Sequence, residues 1–357
     1  MLPFGCLALC VTAEDLSPVW NKVESSIRRG YYAREKRHDE MERLLAKYGP
    51  SAKAATSRDA FDSTVDSMIA EFRDSHFDFL TQNEQGYYMM DSLARGVRAE
   101  PMPHIGAWFR RATDGYTVQM VLEGSPADRA GLAQGDILTS VNGKPFTPVA
   151  SLRDAVGKIV HLTYQRGRGY RQAEVMVQRS TALKMFHDAT LASVRTIEKG
   201  GKRLGYLHLW TQASGAFSRT LSEALKGQFK DTDGFILDLR GGFGGRPEGF
   251  AEPFAKGGYE KPLAVVIDRG SRSAKELLSF QFQRSRRATL IGETTAGHVL
   301  GTRPLRVNEW SYLEIPMMDI SVGGVRLEGK GVSPDIEVPS GVDPVERAVQ
   351  ILTADRI

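Results

Sequence analysis

Residues 268–277 read Asp-Arg-Gly-Ser-Arg-Ser-Ala-Lys-Glu-Leu, a serine-rich turn between two regular segments. Before the turn, the apolar run Leu-Ala-Val-Val-Ile at 263–267 is typical of a buried strand, and after it apolar residues recur at helical spacing. At a strand-to-helix turn, the hydroxyl of Ser273 would lie at the edge of a sheet, near unpaired helix N–H groups and the positive end of the helix dipole. The stretch therefore predicts a nucleophile carried by a βα unit.

Two glycine-containing segments complete this prediction. Residues 238–245 read Asp-Leu-Arg-Gly-Gly-Phe-Gly-Gly after another apolar strand, and residues 328–335 read Glu-Gly-Lys-Gly-Val-Ser-Pro-Asp. Glycine lets backbone N–H groups approach a substrate carbonyl closely, as a forming oxyanion requires. Strands alternate with helices over residues 182–357, which predicts βαβ units and a mostly parallel sheet with ligands at the carboxyl ends of the strands.

A second unit is predicted between residues 101 and 180. Residues 121–132 read Val-Leu-Glu-Gly-Ser-Pro-Ala-Asp-Arg-Ala-Gly-Leu, and Gly-Asp-Ile-Leu follows at 135–138. Ser-Pro-Ala is a helix-start signal and Gly131 a stop signal, so a short helix is expected. A further helix is predicted at about 149–158, and a hairpin joins 160–164 to 173–177.

These blocks, in this order, resemble the C-terminal processing (tail-specific) serine peptidases, which carry a PDZ domain ahead of a crotonase-like catalytic domain. The resemblance implies an α/β fold: a crotonase-like peptidase domain with βαβ units, a PDZ β-sandwich or barrel, and an N-terminal helical region. It divides the chain into a possible signal-peptide remnant at 1–13, a helical region at 14–100, a PDZ domain at 101–180 and a catalytic domain at 181–357. Pro50 is expected to separate two helical stretches of the N-terminal region.

The resemblance also implies how a substrate is held. PDZ domains bind an extended peptide by strand addition and hold its terminal carboxylate in a nest of backbone N–H groups. By resemblance the nest is His104-Ile105-Gly106-Ala107, with Ile105, Gly106 and Ala107 as substrate-binding residues. The alternative is that this unit only packs as a spacer.

Ser273 is the predicted nucleophile because the family's reactive serine lies three residues before a glutamate, here Glu276. The implied oxyanion donors are the backbone N–H groups of Gly245 and Ala274. Ser271 and Ser279 are weaker nucleophile candidates, interpreted as a cap and a helix-surface hydroxyl.

The predicted base departs from much of the family. Many members use a Ser-Lys dyad with the lysine in a Gly-Glu-x-Thr-x-Gly-Lys segment, where this chain reads Gly-Glu-Thr-Thr-Ala-Gly-His and ends in His298. Lys275 does not replace that lysine, because two residues along a helix its side chain points roughly 200° away from Ser273.

The tricorn-like branch of the superfamily instead uses a histidine preceded by serine, and a glutamate in a Glu-x-x-Gly-Val-x-Pro-Asp segment. Ser75-His76 and Glu328 match that pattern. Because an ordinary imidazole, with a pKa of about 6.5, is a competent base at neutral pH, His76 is the predicted general base, oriented by Ser75 and Glu328. His298 is the rival base. The remaining histidines are expected to be structural or exposed.

Composition and charge leave a globular protein as the expectation. The chain is 41% hydrophobic and 25% charged, and its 47 basic and 43 acidic residues are interspersed, which does not favour a nucleic-acid partner. The apolar segment 1–13, with Cys6 and Cys10, is interpreted as part of a signal peptide that lacks a basic start. A periplasmic, envelope or secreted location is therefore expected, with the cytoplasm as the alternative. No membrane span, metal or organic cofactor is predicted.

The expected function is a serine endopeptidase that binds protein C-terminal tails through its PDZ domain and cleaves through an acyl-enzyme on Ser273. Its partners would be proteins or peptides with accessible C-termini, and the oligomeric state is not predicted. The principal alternative is a catalytically inactive PDZ scaffold, since Arg272 and Lys275 replace the small residues common beside the serine. Acyl-CoA chemistry on a crotonase-like fold is a remote alternative, resting on fold analogy alone.

Overall fold

The computed structural model of the protein describes residues 14–339 and 341–354. Two compact units divide the chain: the first runs to Thr81 and includes Thr302–Met318, and the second comprises Gln82–Gly301 and the chain from Asp319 onward. The predicted signal-peptide remnant at 1–13, with Cys6 and Cys10, lies outside the described residues.

The elements are numbered in chain order. The helices are α1 (Ser17–Gly30), α2 (His38–Lys53), α3 (Arg58–Phe72), α4 (Gln85–Arg95), α5 (Pro126–Arg129), α6 (Ala182–Ser193), α7 (Gly215–Lys226), α8 (Ala274–Arg284) and α9 (Pro344–Thr353), with 3-10 turns at Gly96–Arg98, Ala150–Ala155 and Glu252–Phe254. The strands are β1 (Asp78–Thr81), β2 (Met102–His104), β3 (Ala107–Ala112), β4 (Gly115–Val121), β5 (Ile137–Val141), β6 (Lys144–Pro145), β7 (Ile159–Arg166), β8 (Gly169–Met176), β9 (Gln178–Ser180), β10 (Arg195–Lys199), β11 (Lys202–His208), β12 (Thr211–Gln212), β13 (Gly234–Asp238), β14 (Phe243–Gly245), β15 (Leu263–Ile267), β16 (Thr289–Gly292), β17 (Gly301–Arg306), β18 (Ser311–Met318), β19 (Ser321–Val322), β20 (Val325–Arg326) and β21 (Ile336–Glu337). Within residues 14–339 and 341–354, no helix combines the length and the apolar character that a bilayer crossing needs.

The first unit packs the helices α1, α2 and α3 with a small sheet in the order β1-β18-β17. The apolar residues Trp20, Val23 and Ile27 recur at three- and four-residue spacing on α1, and all are buried in the core of this unit. Strand β18 therefore brings residues from late in the chain into a unit otherwise built from the N-terminal region.

The expectation that Pro50 separates two helices is wrong, because Pro50 lies inside α2, which continues to Lys53. Pro50 sits in the last turn, where its carbonyl still accepts a hydrogen bond from the Ala54 N–H group at 3.0 Å. The break comes a few residues later, and Ser57 then caps α3 by accepting the Ala60 N–H group.

The second unit contains a PDZ-type sheet in the order β3-β4-β5-β7-β8, with β6 paired to β5. The predicted hairpin is confirmed as β7 and β8, and the short helix α5 starts at its Ser125 cap and Pro126. The helix predicted at 149–158 is wrong: a 3-10 turn spans Ala150–Ala155, and Gly157, with φ of +78°, turns the chain into β7.

The same unit contains the mostly parallel sheet predicted for the C-terminal half, in the order β10-β11-β13-β15-β16-β21. All its pairings are parallel except that of the edge strand β10 with β11. Strands β13 and β15 are buried along their whole length, as expected of a parallel sheet covered on both faces. Because β13 and β15 are neighbours, the turns that follow them meet at one edge of the sheet.

Candidate active site

The predicted nucleophile lies where the sequence indicated, in the turn between β15 and α8. Ser273 is the N-cap of α8, with φ of 60° and ψ of −126°, a conformation that costs a non-glycine residue about 1–3 kcal/mol. Its N–H group donates to the His298 carbonyl at 2.8 Å and to Glu276 Oε2 at 3.0 Å. A strained serine backbone held at a strand-to-helix turn is typical of an exposed nucleophile.

Glu276 fixes the shape of this turn. Its carboxylate is fully buried, and Oε1 accepts hydrogen bonds from Thr295 Oγ1 at 2.6 Å and the Gly297 N–H group at 2.7 Å. Oε2 accepts the N–H groups of Ser273 and His298, at 3.0 and 2.9 Å. Burial raises the pKa of Glu276, while these hydrogen bonds act in the opposite direction. The carboxylate thus ties the nucleophile to the loop 295–298.

The Glu328 segment is hydrogen-bonded to the same loop and to the residue that follows it. Glu328 Oε2 accepts the Val299 N–H group at 2.5 Å, and the Gly329 N–H group donates to the Gly297 carbonyl at 2.7 Å. The His298 side chain is exposed, so its backbone rather than its ring makes the contacts to the nucleophile turn. The structure therefore brings Ser273, Glu276, His298 and Glu328 together in the second unit.

The glycine turn, residues 240–245, lies against the nucleophile. A Cβ at Gly244 would come within 2.5 Å of Ser273 Cβ and 2.7 Å of the Ala274 nitrogen, so only glycine fits there. Thr211 Oγ1 donates a hydrogen bond to the Gly244 carbonyl at 2.8 Å, and Gln212 pairs with Gly245 in the short parallel sheet β12-β14. Gly244 and Ser273 are thus in contact, and the predicted oxyanion donors, Gly245 and Ala274, are the residues that follow them in the chain.

The two other serines near the turn are buried. Ser271 Oγ donates to the Leu239 carbonyl at 2.8 Å, and Ser279 Oγ donates to the Lys275 carbonyl at 2.8 Å. The interpretation of Ser279 as a surface hydroxyl is wrong, because this face of α8 packs inside the protein. Both hydroxyls serve the backbone, which favours Ser273 as the nucleophile.

Two cations beside the serine contact the glycine turn. The Arg272 guanidinium carbon lies 4.7 Å from the centroid of the Phe243 ring, and Lys275 Nζ donates to the Gly241 carbonyl at 2.8 Å. Burial lowers the pKa of Lys275 to about 7, against the opposing effect of Asp268 and Asp238. The sequence placed Arg272 and Lys275 beside the serine but did not predict these contacts with the glycine turn.

A buried histidine links the PDZ domain to the same turn. His208 Nε2 lies 2.9 Å from the Arg240 carbonyl, and Nδ1 lies 2.7 Å from Glu123 Oε1. Because a carbonyl and an ionised carboxylate only accept hydrogen bonds, both ring nitrogens carry protons. Burial opposes that charge, but Asp238 and Glu123 raise the pKa of His208 overall. The sequence predicted a structural or exposed histidine; the residue is buried and in contact with the site.

The predicted carboxylate nest leads directly into β3, an edge strand of the PDZ sheet. Gly106, with φ of +79°, packs against Ser125, and the Ile105 carbonyl accepts the Ala127 N–H group at 2.8 Å. On the strand itself, Gln85 of α4 bonds the Ala107 carbonyl and the Phe109 N–H group, each at 2.9 Å. Gln85 therefore occupies backbone groups that an added peptide strand would use.

Ser75 and His76 lie in the first unit, in the segment after α3. Ser75 Oγ lies 3.0 Å from His76 Nδ1, and His76 has a φ of 55°. The predicted partnership of this serine with the ring thus has the geometry of a hydrogen bond. The other predicted catalytic residues are in the second unit.

Two family models match the chain. Residues 248–338 match peptidase family S41, a stretch that includes Ser273, Glu276, His298 and Glu328. Residues 117–166 match the PDZ domain.

Curated relatives are similar to this chain over most of its length. A probable CtpA-like serine protease of Staphylococcus haemolyticus is 22% identical over 325 residues, which cover 83% of this chain and 62% of the relative. A protein of the same description from Staphylococcus aureus is 24% identical over 306 residues, covering 77% of this chain and 59% of the relative. The chain spans about three-fifths of the length of these relatives.

Solved structures share the fold at low identity. The photosystem II D1 C-terminal processing protease aligns with a TM-score of 0.59 at 19% identity, covering 96% of this chain and 98% of that one. The tricorn protease aligns with a TM-score of 0.57 at 17% identity, covering 96% of this chain and 37% of that one. The chain therefore contains regions that match peptidase family S41 and the PDZ domain, and it shares its fold with solved proteases of the C-terminal processing and tricorn types.

Proposed function

We propose that the protein is a serine endopeptidase in which Ser273 attacks the scissile carbonyl and forms an acyl-enzyme. One observation carries the proposal: the strained backbone of Ser273, fixed at the start of α8 by His298 and Glu276 and packed against Gly244. Backbone strain of this kind lowers stability, and strained residues are concentrated at functional sites.

The proposed reaction has two steps. In the first, the Ser273 proton passes to the base and then to the leaving amine, while the carbonyl oxygen becomes an oxyanion beside the N–H groups of Gly245 and Ala274. In the second, water gives a proton to the same base and attacks the ester carbonyl, and the base returns that proton to the Ser273 oxygen as the acyl–oxygen bond breaks and the acid leaves. The position of Ser273 at the N-terminus of α8 supports this assignment, because the helix dipole favours negative charge there.

As the base we propose His76, oriented by Ser75 and, as in the tricorn-like pattern, by Glu328. The hydrogen-bond distance between Ser75 and the His76 ring supports the pairing. His298 is the rival, since its ring is exposed and its backbone contacts the nucleophile.

The proposed substrates are proteins with accessible C-terminal tails, captured by Ile105, Gly106 and Ala107 at the start of β3. The positive φ of Gly106 and the edge position of β3 support this mode of binding. A periplasmic, envelope or secreted location is part of the proposal and is supported by the apolar segment 1–13.

Labelling with a fluorophosphonate, which phosphonylates activated serines, tests the proposal. We expect the wild type to be labelled and Ser273→Ala to be unlabelled. Ser285→Ala is a matched control, because Ser285 is an exposed serine at the end of the same helix. Labelling of Ser273→Ala at the wild-type rate would assign the nucleophile elsewhere, and no labelling of any variant would favour the inactive PDZ scaffold. The contacts of Arg272 and Lys275 with the glycine turn argue against decay of the site.

A further inference from the structure

Lys275 is a fully buried lysine at the second position of α8. Its ammonium donates to the Gly241 carbonyl at 2.8 Å and lies 3.4 Å from the Arg240 carbonyl. Lysine is almost never fully buried unless it is paired, because an ammonium is costly to remove from water. Here its hydrogen bonds go to two consecutive carbonyls of the glycine turn.

The remaining contacts of the turn come from other segments. The Gly241 N–H group donates to Asp268 Oδ1, and the Gly242 N–H group donates to Met120 Sδ, both at 3.0 Å. The Phe243 N–H group donates to the Trp210 carbonyl, also at 3.0 Å. The Arg240 carbonyl lies within hydrogen-bond distance of both Lys275 Nζ and His208 Nε2. The first part of the turn is thus held on both sides, and Gly244, near its end, packs against Ser273.

We infer that Lys275 is a positioning residue, whose buried side chain holds the glycine turn in the shape that brings the Gly245 N–H group to the oxyanion. The inference rests on the proposed function of Ser273. Contact with Gly242 supports it as well, since a Cβ there would lie 3.0 Å from Lys275 Nζ. The lysine therefore acts through the backbone of the turn.

The charges around the ammonium come from several elements. Asp268, Asp238 and Glu123 favour the charged form, whereas burial and Arg272 disfavour it. His208 and Arg240 add two further cations to the cluster, each in contact with one of these carboxylates. With its pKa lowered to about 7, Lys275 loses its charge as the pH rises above neutrality. A neutral amine donates a weaker hydrogen bond than an ammonium, so its hold on the turn weakens.

The test compares Lys275→Met with Lys261→Met. Methionine fills a similar volume but donates nothing to the carbonyls. Lys261 is a matched control because its Nζ also donates to two carbonyls, those of Lys230 and Thr232. We expect the rate constant for fluorophosphonate labelling to fall about 10- to 100-fold in Lys275→Met, as for a displaced catalytic group, and to stay at the wild-type value in Lys261→Met.

A second variant separates positioning from general stability. Above about pH 7 the wild-type labelling rate should decline as Lys275 is deprotonated, whereas Lys275→Arg, whose guanidinium keeps its charge, should show no decline. The shapes of the two profiles are compared, so a lower absolute rate in the arginine variant does not matter. If circular dichroism shows that Lys275→Met does not fold, these profiles alone decide.

The outcomes distinguish the two proposals. If the wild type is labelled and Lys275→Met reacts equally fast, the positioning role is overturned and the peptidase proposal stands. Identical alkaline profiles for the wild type and Lys275→Arg have the same consequence. An unlabelled wild type removes the proposed function, and the role of Lys275 with it.

Discussion

Ser273 owes its position to its backbone and to the carboxylate of Glu276. The positive φ of Ser273 is held by two acceptors on its N–H group, and one of them, Glu276, also binds the loop 295–298. A single buried carboxylate thus sets both the nucleophile turn and the loop that carries His298. Glu276 was predicted among the catalytic residues by resemblance, and its contacts are those of a residue that orients the turn.

The choice of base can be tested by pH profiles. Because a base works only when deprotonated, the labelling rate should rise as the pH approaches the imidazole pKa, ordinarily about 6.5, before the decline expected from Lys275 above about pH 7. We expect His76→Ala to lower the rate by about 10²- to 10⁴-fold and to remove this rise. His298→Ala should keep the rise.

Both histidine variants need the same check of folding by circular dichroism. Wild-type turnover in His76→Ala would refute the assignment of the base. A lost rise in His298→Ala alone would transfer the role to His298.

At the scale of elements, α4 closes the edge of the PDZ sheet. The side-chain amide of Gln85, the first residue of α4, donates to the Ala107 carbonyl and accepts the Phe109 N–H group. Exposed strand edges invite pairing with another chain, and covering them prevents it. In the proposed function, a C-terminal tail must therefore displace Gln85 before it can pair with β3.

Removing this side chain should strengthen peptide binding. Two neutral hydrogen bonds contribute about 0.5–1.5 kcal/mol each, so we expect Gln85→Ala to lower the Kd for a peptide with a free C-terminus about 5-fold or more. Isothermal titration calorimetry would measure the change. Gln172→Ala, an exposed glutamine on the opposite edge strand β8, is the control and should bind as the wild type does. An unchanged or weaker affinity in Gln85→Ala would mean that the peptide does not use this edge.

At the scale of the whole second unit, the PDZ domain and the parallel sheet share a buried interface at the glycine turn. Trp108 of β3 packs edge-on against Phe243 of the turn, with ring centroids 5.0 Å apart. Glu123 reaches His208 at the end of β11, and Met120 of β4 accepts the Gly242 N–H group. The PDZ domain therefore forms part of the support for the proposed oxyanion donors.

The Glu123–His208 pair should make stability depend on pH. The raised pKa of His208 means that its contribution is fully present below its unfolded pKa of about 6.5 and is lost as the pH rises through the folded pKa. The lowered pKa of Glu123 means that its contribution fades only in more acidic solution. We expect Glu123→Gln to reduce the free energy of unfolding by about 1–3 kcal/mol near pH 6, and by less near pH 9.

Denaturant unfolding at the two pH values would measure this difference. Glu174→Gln is a matched control, since Glu174 forms an exposed pair with His161 at 3.4 Å, and exposed pairs contribute little. A loss in Glu123→Gln that is the same at both pH values would contradict the ionic account of the pair.

The sequence by itself determined the features that depend on local pattern. Buried strands, the cap at Ser125, the turn at Ser273 and the glycines after β13 all follow from periodicity, backbone freedom or capping within a few residues. Pro50 and the 3-10 turn at Ala150–Ala155 were misjudged where local signals are weak.

Only the tertiary structure decided which distant side chains meet. Glu123 and His208 are 85 residues apart, and Gln85 reaches β3 across 24 residues. Lys275 contacts a turn that follows a different strand, and β18 joins the first unit from late in the chain. Such contacts arise because packing buries polar groups that must then find hydrogen-bond partners, and no periodicity in the sequence encodes which partner lies within reach.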